Sequence, residues 1–295
     1  MTWDALDWQA LDRLRTIFLS EEKPRKDYWK SRSDLENYDF TYGQRIAWKW
    51  EAVLAEVKRL GWKPPSDSVL DWGCGSGVAG RLVRDSFGLR TLRVYDRSQF
   101  AMDYAVEAGN AERWRESDPV GVLVLSHVLN EIRAAPSVIE RAGAVLWVEP
   151  GTYADSRALI AARGKLQQHF RIVAPCTHQS DCGMIAPENE RHWCHFFAQP
   201  PPGVMADPNW VRFAQRACID LRSLPYSYLV LDHRPSAIGG DRIIGEPRFY
   251  RGHAKVLRCQ EDGVREVTLQ RRDDPELFRR LKKGLISREV FPTDC

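Results

Sequence analysis

Three of the seven cysteines in this 295-residue chain, Cys176, Cys182 and Cys194, fall within nineteen residues, interleaved with His178, His192 and His195. Thiolate sulfur and imidazole nitrogen are strong metal donors, so this density points to a metal or cluster centre. Five and eleven residues separate the cysteines, whereas structural zinc sites usually present paired C-x2-C knuckles, and none occurs here. Thiolates presented from an irregular loop and completed by a distant fourth ligand suit an iron–sulfur cluster at least as well. Cys259 is the best fourth candidate, while the three histidines keep a Cys3His zinc site open. Of the remaining cysteines, Cys74 lies in a glycine-rich loop, Cys218 falls in a helical stretch with Phe213 and Leu221 and reads as core, and Cys295 is terminal.

The second chemical feature is Asp71-x-Gly73-x-Gly75-x-Gly77. It follows a short apolar run and opens a helical pattern, the place where open parallel sheets bind ligands. Glycines let the backbone turn sharply and approach a ligand with no Cβ in the way. A dinucleotide fingerprint anchored at Gly73 would require glycine at position 78, which is Val78. An acid at Asp71 would repel a phosphate but suits the ammonium of a methionine moiety. Asp96, twenty-five residues later at the end of the next apolar run, is placed to accept from ribose hydroxyls, with Tyr95 beside it to stack. The pattern resembles the class I S-adenosylmethionine-dependent methyltransferases over roughly residues 67–170.

Methyl transfer needs a positioned and sometimes deprotonated acceptor. The natural place is after the strand Val122–Ser126, where His127, Asn130 and Glu131 would share one face of a helical turn and bring an imidazole near a carboxylate. The chain has neither the Asn/Asp-Pro-Pro-aromatic sequence of amino-group methyltransferases nor a catalytic cysteine pair of the RNA cytosine-C5 type. Cofactor binding is therefore better supported than turnover.

These groups need elements to hold them. Trp8, Leu11, Leu14 and Ile17, and then Trp50, Val53, Leu54, Val57 and Leu60, recur at helical spacing, and Gly61 with Pro64-Pro65 ends that region. From Ser68 short apolar strands alternate with helices: Ser68–Asp71, Val78–Asp85, Leu92–Asp96, Ser98–Ala108, Val122–Ser126, Ala144–Glu149 and Tyr153–Phe170. This alternation implies an α/β fold with a doubly wound, mostly parallel Rossmann-like sheet. Pro175 to Pro225 breaks the rhythm and holds the cysteines. Strands return at Tyr226–Asp232, Ala254–Cys259 and Arg265–Gln270, the last two joined by a hairpin turn at Glu261-Asp262-Gly263, before a basic helix from Pro275 to Arg288. Four regions follow: an N-terminal helical extension (1–66), a cofactor-binding core (67–174), a cysteine-rich metal-binding insertion (175–225), and C-terminal strands with the basic helix (226–295).

A hydrophobic content of 43% with eleven tryptophans supplies an ample core. Net charge is only +3, but cations gather at both ends: Lys23, Arg25, Lys26, Lys30 and Arg32, and then Arg271, Arg272, Arg279, Arg280, Lys282, Lys283 and Arg288. Such runs neutralise phosphates or form solvated helix faces. No apolar run approaches the roughly 20 residues that span a bilayer. An odd cysteine count with no secretion signal points to a reducing compartment.

One combination is more specific. Ala174-Pro175-Cys176 followed by Cys182, Trp193-Cys194-His195-Phe196, Glu149-Pro150-Gly151-Thr152 and Tyr226–Leu231 together resemble the small-subunit mitoribosome-associated methyltransferase-like family, which includes bacterial members. The resemblance runs from about Tyr42 to Arg272. It implies a methyltransferase fold that carries a 4Fe-4S cluster and assists assembly of the ribosomal small subunit by contacting its rRNA. By motif, Cys176, Cys182 and Cys194 take three ligand positions and Cys259 the fourth. Asp71, Gly73, Cys74, Gly75, Gly77, Tyr95, Asp96 and Ser126 carry the S-adenosylmethionine contacts. Thr177 and Cys182-Gly183-Met184 stand where members often have proline and Cys-Pro-Leu, leaving the ligands intact. The long leader of mitochondrial members is missing, so a bacterial, cytoplasmic protein is expected, monomeric off the ribosome and away from membranes. Two alternatives compete with this expectation. One is an active RNA or small-molecule methyltransferase with a structural zinc; the other is a ribosome-binding module whose pocket is vestigial.

Overall fold

The computed structural model describes the chain except residues 21–26, 130, 133–135, 236–238, 285–287 and 290–295. Lys23, Arg25, Lys26, Asn130 and Cys295 therefore lie outside the described residues. Three helices open the chain: α1 (Trp8–Leu19), α2 (Arg32–Phe40) and α3 (Tyr42–Arg59). Asp7 caps α1 by accepting from the Gln9 and Ala10 amides, and Ser31 caps α2 by accepting from Asp34 N. The apolar stripe of α3, Trp50, Val53, Leu54 and Val57, is buried as its spacing requires.

The alternating region follows as β1 (Ser68–Trp72), α4 (Val78–Phe87), β2 (Thr91–Tyr95), α5 (Gln99–Gly109), β3 (Glu112–Arg113), β4 (Val120–Ser126) and β5 (Ala142–Pro150). These strands lie in the order β3-β2-β1-β4-β5, and every pair is parallel. Leu70 sits opposite Leu123, and Leu123 opposite Val145. Residues 122–125 and 144–148 are buried throughout, the signature of strands covered on both faces. The order reverses between β1 and β4, which opens a crevice at their carboxyl ends. The expected α/β, mostly parallel Rossmann-like fold is what forms.

The remaining elements are α6 (Tyr153–Leu166), β6 (Arg171–Ala174), β7 (Phe196–Ala198), α7 (Pro208–Ala217), β8 (Leu224–Asp232), β9 (Asp241–Phe249), β10 (His253–Gln260), β11 (Gly263–Gln270), α8 (Pro275–Lys282) and β12 (Arg288–Glu289). The chain divides into two compact units, residues 1–149 with 198–224, and 150–197 with 225–295. In the first unit, Phe213 and Ala217 of α7 are buried with Leu6 and Leu11, and the Arg15 guanidinium donates to the Ala217 carbonyl. In the second, β8 pairs with β6 in antiparallel register and also with β7. The order β11-β10-β9-β12 forms an antiparallel sheet, against which α8 buries Leu277, Phe278 and Leu281 on Ile243, Ala254 and Val256.

Several expectations change. Strand β9 was not anticipated because Gly245 and Pro247 interrupt its alternation. The basic helix ends at Lys282, and Arg288 belongs to a strand. Helix α7 forms where the helical stretch around Phe213 was expected, with Asp207 as its cap and Pro208 in its first turn, and it ends at Ala217, short of Cys218 and Leu221. Cys218 is not core: it takes a left-handed conformation (φ 49°) at the end of α7 and is exposed. Among the described residues no helix is long and apolar enough to cross a membrane.

Helix–sheet spacing generates a test. A Cβ at Gly80 of α4 would lie 2.7 Å from Asp71 Cβ and 2.8 Å from Leu92 Cδ1, whereas one at Gly164 of α6 meets nothing within 4 Å. Chemical denaturation of Gly80→Ala should show a loss of about 1–3 kcal/mol from overpacking. Gly164→Ala should gain roughly 0.5–1 kcal/mol from helix propensity. Equal effects would show that α4 is not tightly seated on β1.

Candidate cofactor site and candidate cysteine centre

The loop after β1 is built by backbone conformations that side chains resist. Gly73, Gly75 and Gly77 have φ of 73°, 52° and 74°, all left-handed. The amides of Gly73 and Cys74 both donate to the Tyr95 carbonyl, at 2.7 and 3.1 Å, which fastens the loop to the end of β2. Asp96 completes the fastening: Oδ2 accepts from the Gly75 amide and Oδ1 from the Ser98 amide, each at 2.9 Å. Burial raises the Asp96 carboxyl and these amides pull it back. The Tyr95 ring stacks on Trp72, with centroids 5.7 Å apart and planes 26° apart. Cys74 is buried in the loop, and burial pushes its thiol well above the usual range.

Asp71 lies beneath this loop and is 0% exposed. Its Oδ2 accepts from the Gly80 amide at 2.8 Å, so it steadies the first turn of α4. Its Oδ1 is buried with no hydrogen-bond partner. Burial, the largest influence, pushes the carboxyl up to about 7. A positive charge bound above the loop would favour the charged form of this group. The Ser98 hydroxyl, near the Asp96 carboxylate, is likewise buried without a partner.

Beyond β4 the outcome differs from expectation. His127 lies in a bend, and Leu129 and Glu131 lie in a turn where a helical turn was expected, with the Glu131 amide donating to Val128 O. His127 is left-handed (φ 57°), uncommon for a residue with a Cβ. Its Nδ1 lies 3.3 Å from Ser126 Oγ, which also accepts from Trp50 Nε1 at 2.9 Å. Its Nε2 lies 3.5 Å from Lys49 Nζ. Glu131 instead accepts from the Tyr28 hydroxyl at 2.8 Å and from Arg97 at 3.2 Å. The imidazole thus faces an ammonium and not a carboxylate. Burial, with Lys49 and Arg45 nearby, holds it well below its usual pKa and keeps it neutral.

The second unit gathers the other donors. Cys176, Cys182 and Cys194 line a solvent-open cleft together with Arg163 and Ser227. Cys182 and Cys194 pack against the cluster that contains Cys259, Met184 and Val264. Burial raises the Cys182, Cys194 and Cys259 thiols, and for Cys194 the other three sulfurs push in the same direction. Sulfurs distant in sequence are therefore close enough to feel one another. The cis Ala174–Pro175 peptide precedes Cys176. Gly183 lets the chain lie against the β10–β11 turn, since a Cβ there would fall 2.6 Å from Gly263 Cα. The Cys194 carbonyl accepts from Ser156 and Ser227 at 2.8 and 2.7 Å. Among the described residues no group of three or more His, Cys, Asp or Glu is arranged to hold a metal ion.

Of the three histidines only His178 adjoins a thiol, with Nε2 3.7 Å from Cys259 Sγ and a buried Nδ1 that has no partner. His192 lies beside Arg191, and His195 stacks on Trp193. The residue that the motif reading missed is Arg163. It is 3% exposed, and its guanidinium donates to Cys176 Sγ at 3.3 Å, Gln167 Oε1 at 2.8 Å and Ser180 O at 2.7 Å, none of them a carboxylate. A signal existed, because Arg163 shares the apolar stripe of α6 with Leu159 and Leu166.

A sequence model for a family described as mitochondrial small ribosomal subunit Rsm22 matches residues 52–285. No curated protein matches the chain. Among solved structures, the plantazolicin methyltransferase BpumL in complex with SAH is 13% identical, with 76% of this chain and 96% of that one covered and a TM-score of 0.41. The plantazolicin methyltransferase BamL, with SAH and a triazolic desmethylPZN analog, is 12% identical over 68% and 91%, with a TM-score of 0.41. A SAM dependent methyltransferase from Aquifex aeolicus is 14% identical over 50% and 93%, with a TM-score of 0.37.

The buried Asp71 sets a pH dependence. Its folded pKa lies near 7, above that of the unfolded chain, so the ligand-free protein loses stability as pH rises from about 4 to about 7. Urea denaturation should show a loss of about 2–3 kcal/mol between pH 5 and pH 8 that Asp71→Asn lacks. Parallel pH profiles for the two proteins would mean that Asp71 stays ionised throughout.

Proposed function

The chain belongs to the mitochondrial small ribosomal subunit Rsm22 family, and from that premise we propose a methyltransferase-like protein of the ribosomal small subunit. It binds S-adenosylmethionine in the first unit and a 4Fe-4S cluster in the second, and it contacts rRNA. The observation that carries cofactor binding is the run of left-handed glycines at the switch point of the sheet, above a buried acid with one unpartnered oxygen. Asp96 and Ser98 would receive the ribose end, and Asp71 would meet the positive charge of the methionine end through the loop it supports. The bound cofactor would supply an electrophilic methyl group on a sulfonium. His127 is neutral at the end of β4, but burial with Lys49 and Arg45 nearby opposes its taking a proton, which makes it a weak base there.

For the cluster, four thiols are the donor chemistry that iron–sulfur centres use, although their sulfurs are not arranged around a metal position here. Cys176, Cys182, Cys194 and Cys259 would hold it. Three of these thiols are pushed toward the neutral form by burial and by one another, a situation that bound iron reverses by taking thiolates. Arg163 supports the same reading. A buried guanidinium with no carboxylate is costly, and an anionic sulfur centre against its Nε supplies the missing charge. A zinc site remains the alternative occupant of the same sulfurs. Thiolates held on iron also require a reducing compartment, so a cytoplasmic location remains part of the proposal.

Anaerobic purification with metal and sulfide analysis tests the cluster. About four irons and four sulfides per chain with broad visible absorption are expected for this cluster type. Cys194→Ser should abolish the absorption, and Arg163→Leu should bleach faster in air. A colourless protein with one zinc per chain overturns the cluster. Calorimetry with S-adenosylhomocysteine should give a heat of binding that Asp96→Ala loses, and none from the wild type means a vestigial pocket. Co-sedimentation with small ribosomal subunits tests the partner, and its absence refutes the ribosomal reading.

A further inference from the structure

The β9–β10 hairpin ends in a tip that the cofactor and cysteine chemistry leaves unused. Phe249 is 37% exposed and Tyr250 49%, adjacent large rings at the surface of the second unit. Arg251 follows and is also exposed. The tip is ordered by its own bonds: the Tyr250 amide donates to His253 O, and the Arg271 amide of the following strand end donates to Gly252 O, both at 2.9 Å. Tyr250 lies flat on the His253 ring, with centroids 4.6 Å and planes 9° apart, while Phe249 meets Phe278 of α8 edge-on at 5.5 Å. One face of Tyr250 is thus covered, and its exposure belongs to the rest of the ring.

Cations outnumber acids at this tip, although Asp273, Asp274 and Glu276 follow Arg271 closely in the chain. Arg251 and Arg271 are exposed and have no ion-pair partner among the described residues. Among the described residues Arg272 meets only Asp273, at 3.5 Å, with both side chains mostly in water. Glu266 is shared by Arg248 and Lys255. Unneutralised cations beside a half-open ring match a ligand with phosphates at regular intervals and flat faces free to stack. Single-stranded RNA has both features, whereas a duplex hides its base faces. An acidic protein segment would satisfy the cations but would leave the ring without a flat partner.

We propose that the hairpin tip is a contact for single-stranded RNA, with Tyr250 stacking on a base and Arg251 and Arg271 holding the flanking phosphates. This rests on the small-subunit reading above and names the surface through which the chain would meet rRNA.

The test uses the full-length protein and a fluorescein-labelled single-stranded 12-nucleotide RNA, read by fluorescence anisotropy across a potassium chloride series. Tyr250→Ala should weaken binding about tenfold, within the range of one lost base stack, while Tyr250→Phe should bind as the wild type. Arg251→Ala combined with Arg271→Ala should flatten the salt slope by about 1.4, two phosphates' worth on a single strand. Arg90→Ala, an exposed cation of the first unit, should change neither slope nor melting temperature, and circular dichroism melts should match for every tip variant. Wild-type affinity and slope in the Tyr250 and double-arginine variants overturn the proposal, as does a wild type that ignores the probe. Loss of subunit co-sedimentation with unchanged RNA anisotropy would make the tip a ribosomal-protein contact and overturns it as well. The two readings fail separately. A wild type that binds the probe but not subunits refutes only the ribosomal function, and tip variants that still bind subunits and RNA refute only this surface.

Discussion

A strand buried on both faces can present polar chemistry only at its ends, and the first unit is arranged around that constraint. Val69, Leu70, Val122–Leu125 and Ala144–Val148 leave no room for a polar side chain within these stretches of β1, β4 and β5. Asp71 and Trp72, Tyr95 and Asp96, Ser126 and His127, and Glu149 all fall at carboxyl ends of parallel strands. Even there the polar groups are anchored: Glu149 Oε1 accepts from the Val128 and Leu129 amides and the Trp147 indole, and thereby holds the turn after β4 in place. The site is therefore a rim of backbone amides and carboxylates, preorganised by the strands beneath it.

Buried charge is the second theme, and the two units treat it differently. In the first, burial shifts a carboxyl toward neutrality, and one of its oxygens has no partner. In the second, a guanidinium is buried against sulfur with neutral carbonyl partners. Each arrangement is unfavourable alone and becomes favourable when a ligand of opposite charge is present. Stability and ligand binding are then linked, since whatever binds the folded chain and not the unfolded one stabilises it by mass action.

The aromatic content has a positional logic as well. Trp50 reaches from α3 to Ser126, Trp72 lies against Tyr95, and Trp147 reaches Glu149, so indoles whose bulk fills the core use their N–H or flat face at the rim. Trp193 does likewise in the second unit, donating to Gly151 O at 2.9 Å while stacking on His195.

Local order was legible in the residues. Apolar runs flanked by turn formers located β1, β2, β4, β5 and β8, and the Gly73, Gly75, Gly77 spacing located the left-handed loop, because strand burial and positive φ both act on neighbouring residues. The hairpin at Gly263 was legible for the same reason (φ 137°). Strand β9 was not, since its glycine and proline weaken a pattern that pairing with β10 and β12 sustains. Partnership across the chain was not legible either. That His127 would meet Lys49 and leave Glu131 to Tyr28, that Cys218 would turn outward, and that Arg163 would bury its charge on Cys176 depended on single dihedral angles and on packing between residues far apart in sequence. The amino acids by themselves determined which donors the chain possesses and on which element each one rides. Only the folded structure decided which donors meet, because a contact between distant residues is set by the summed geometry of every element between them.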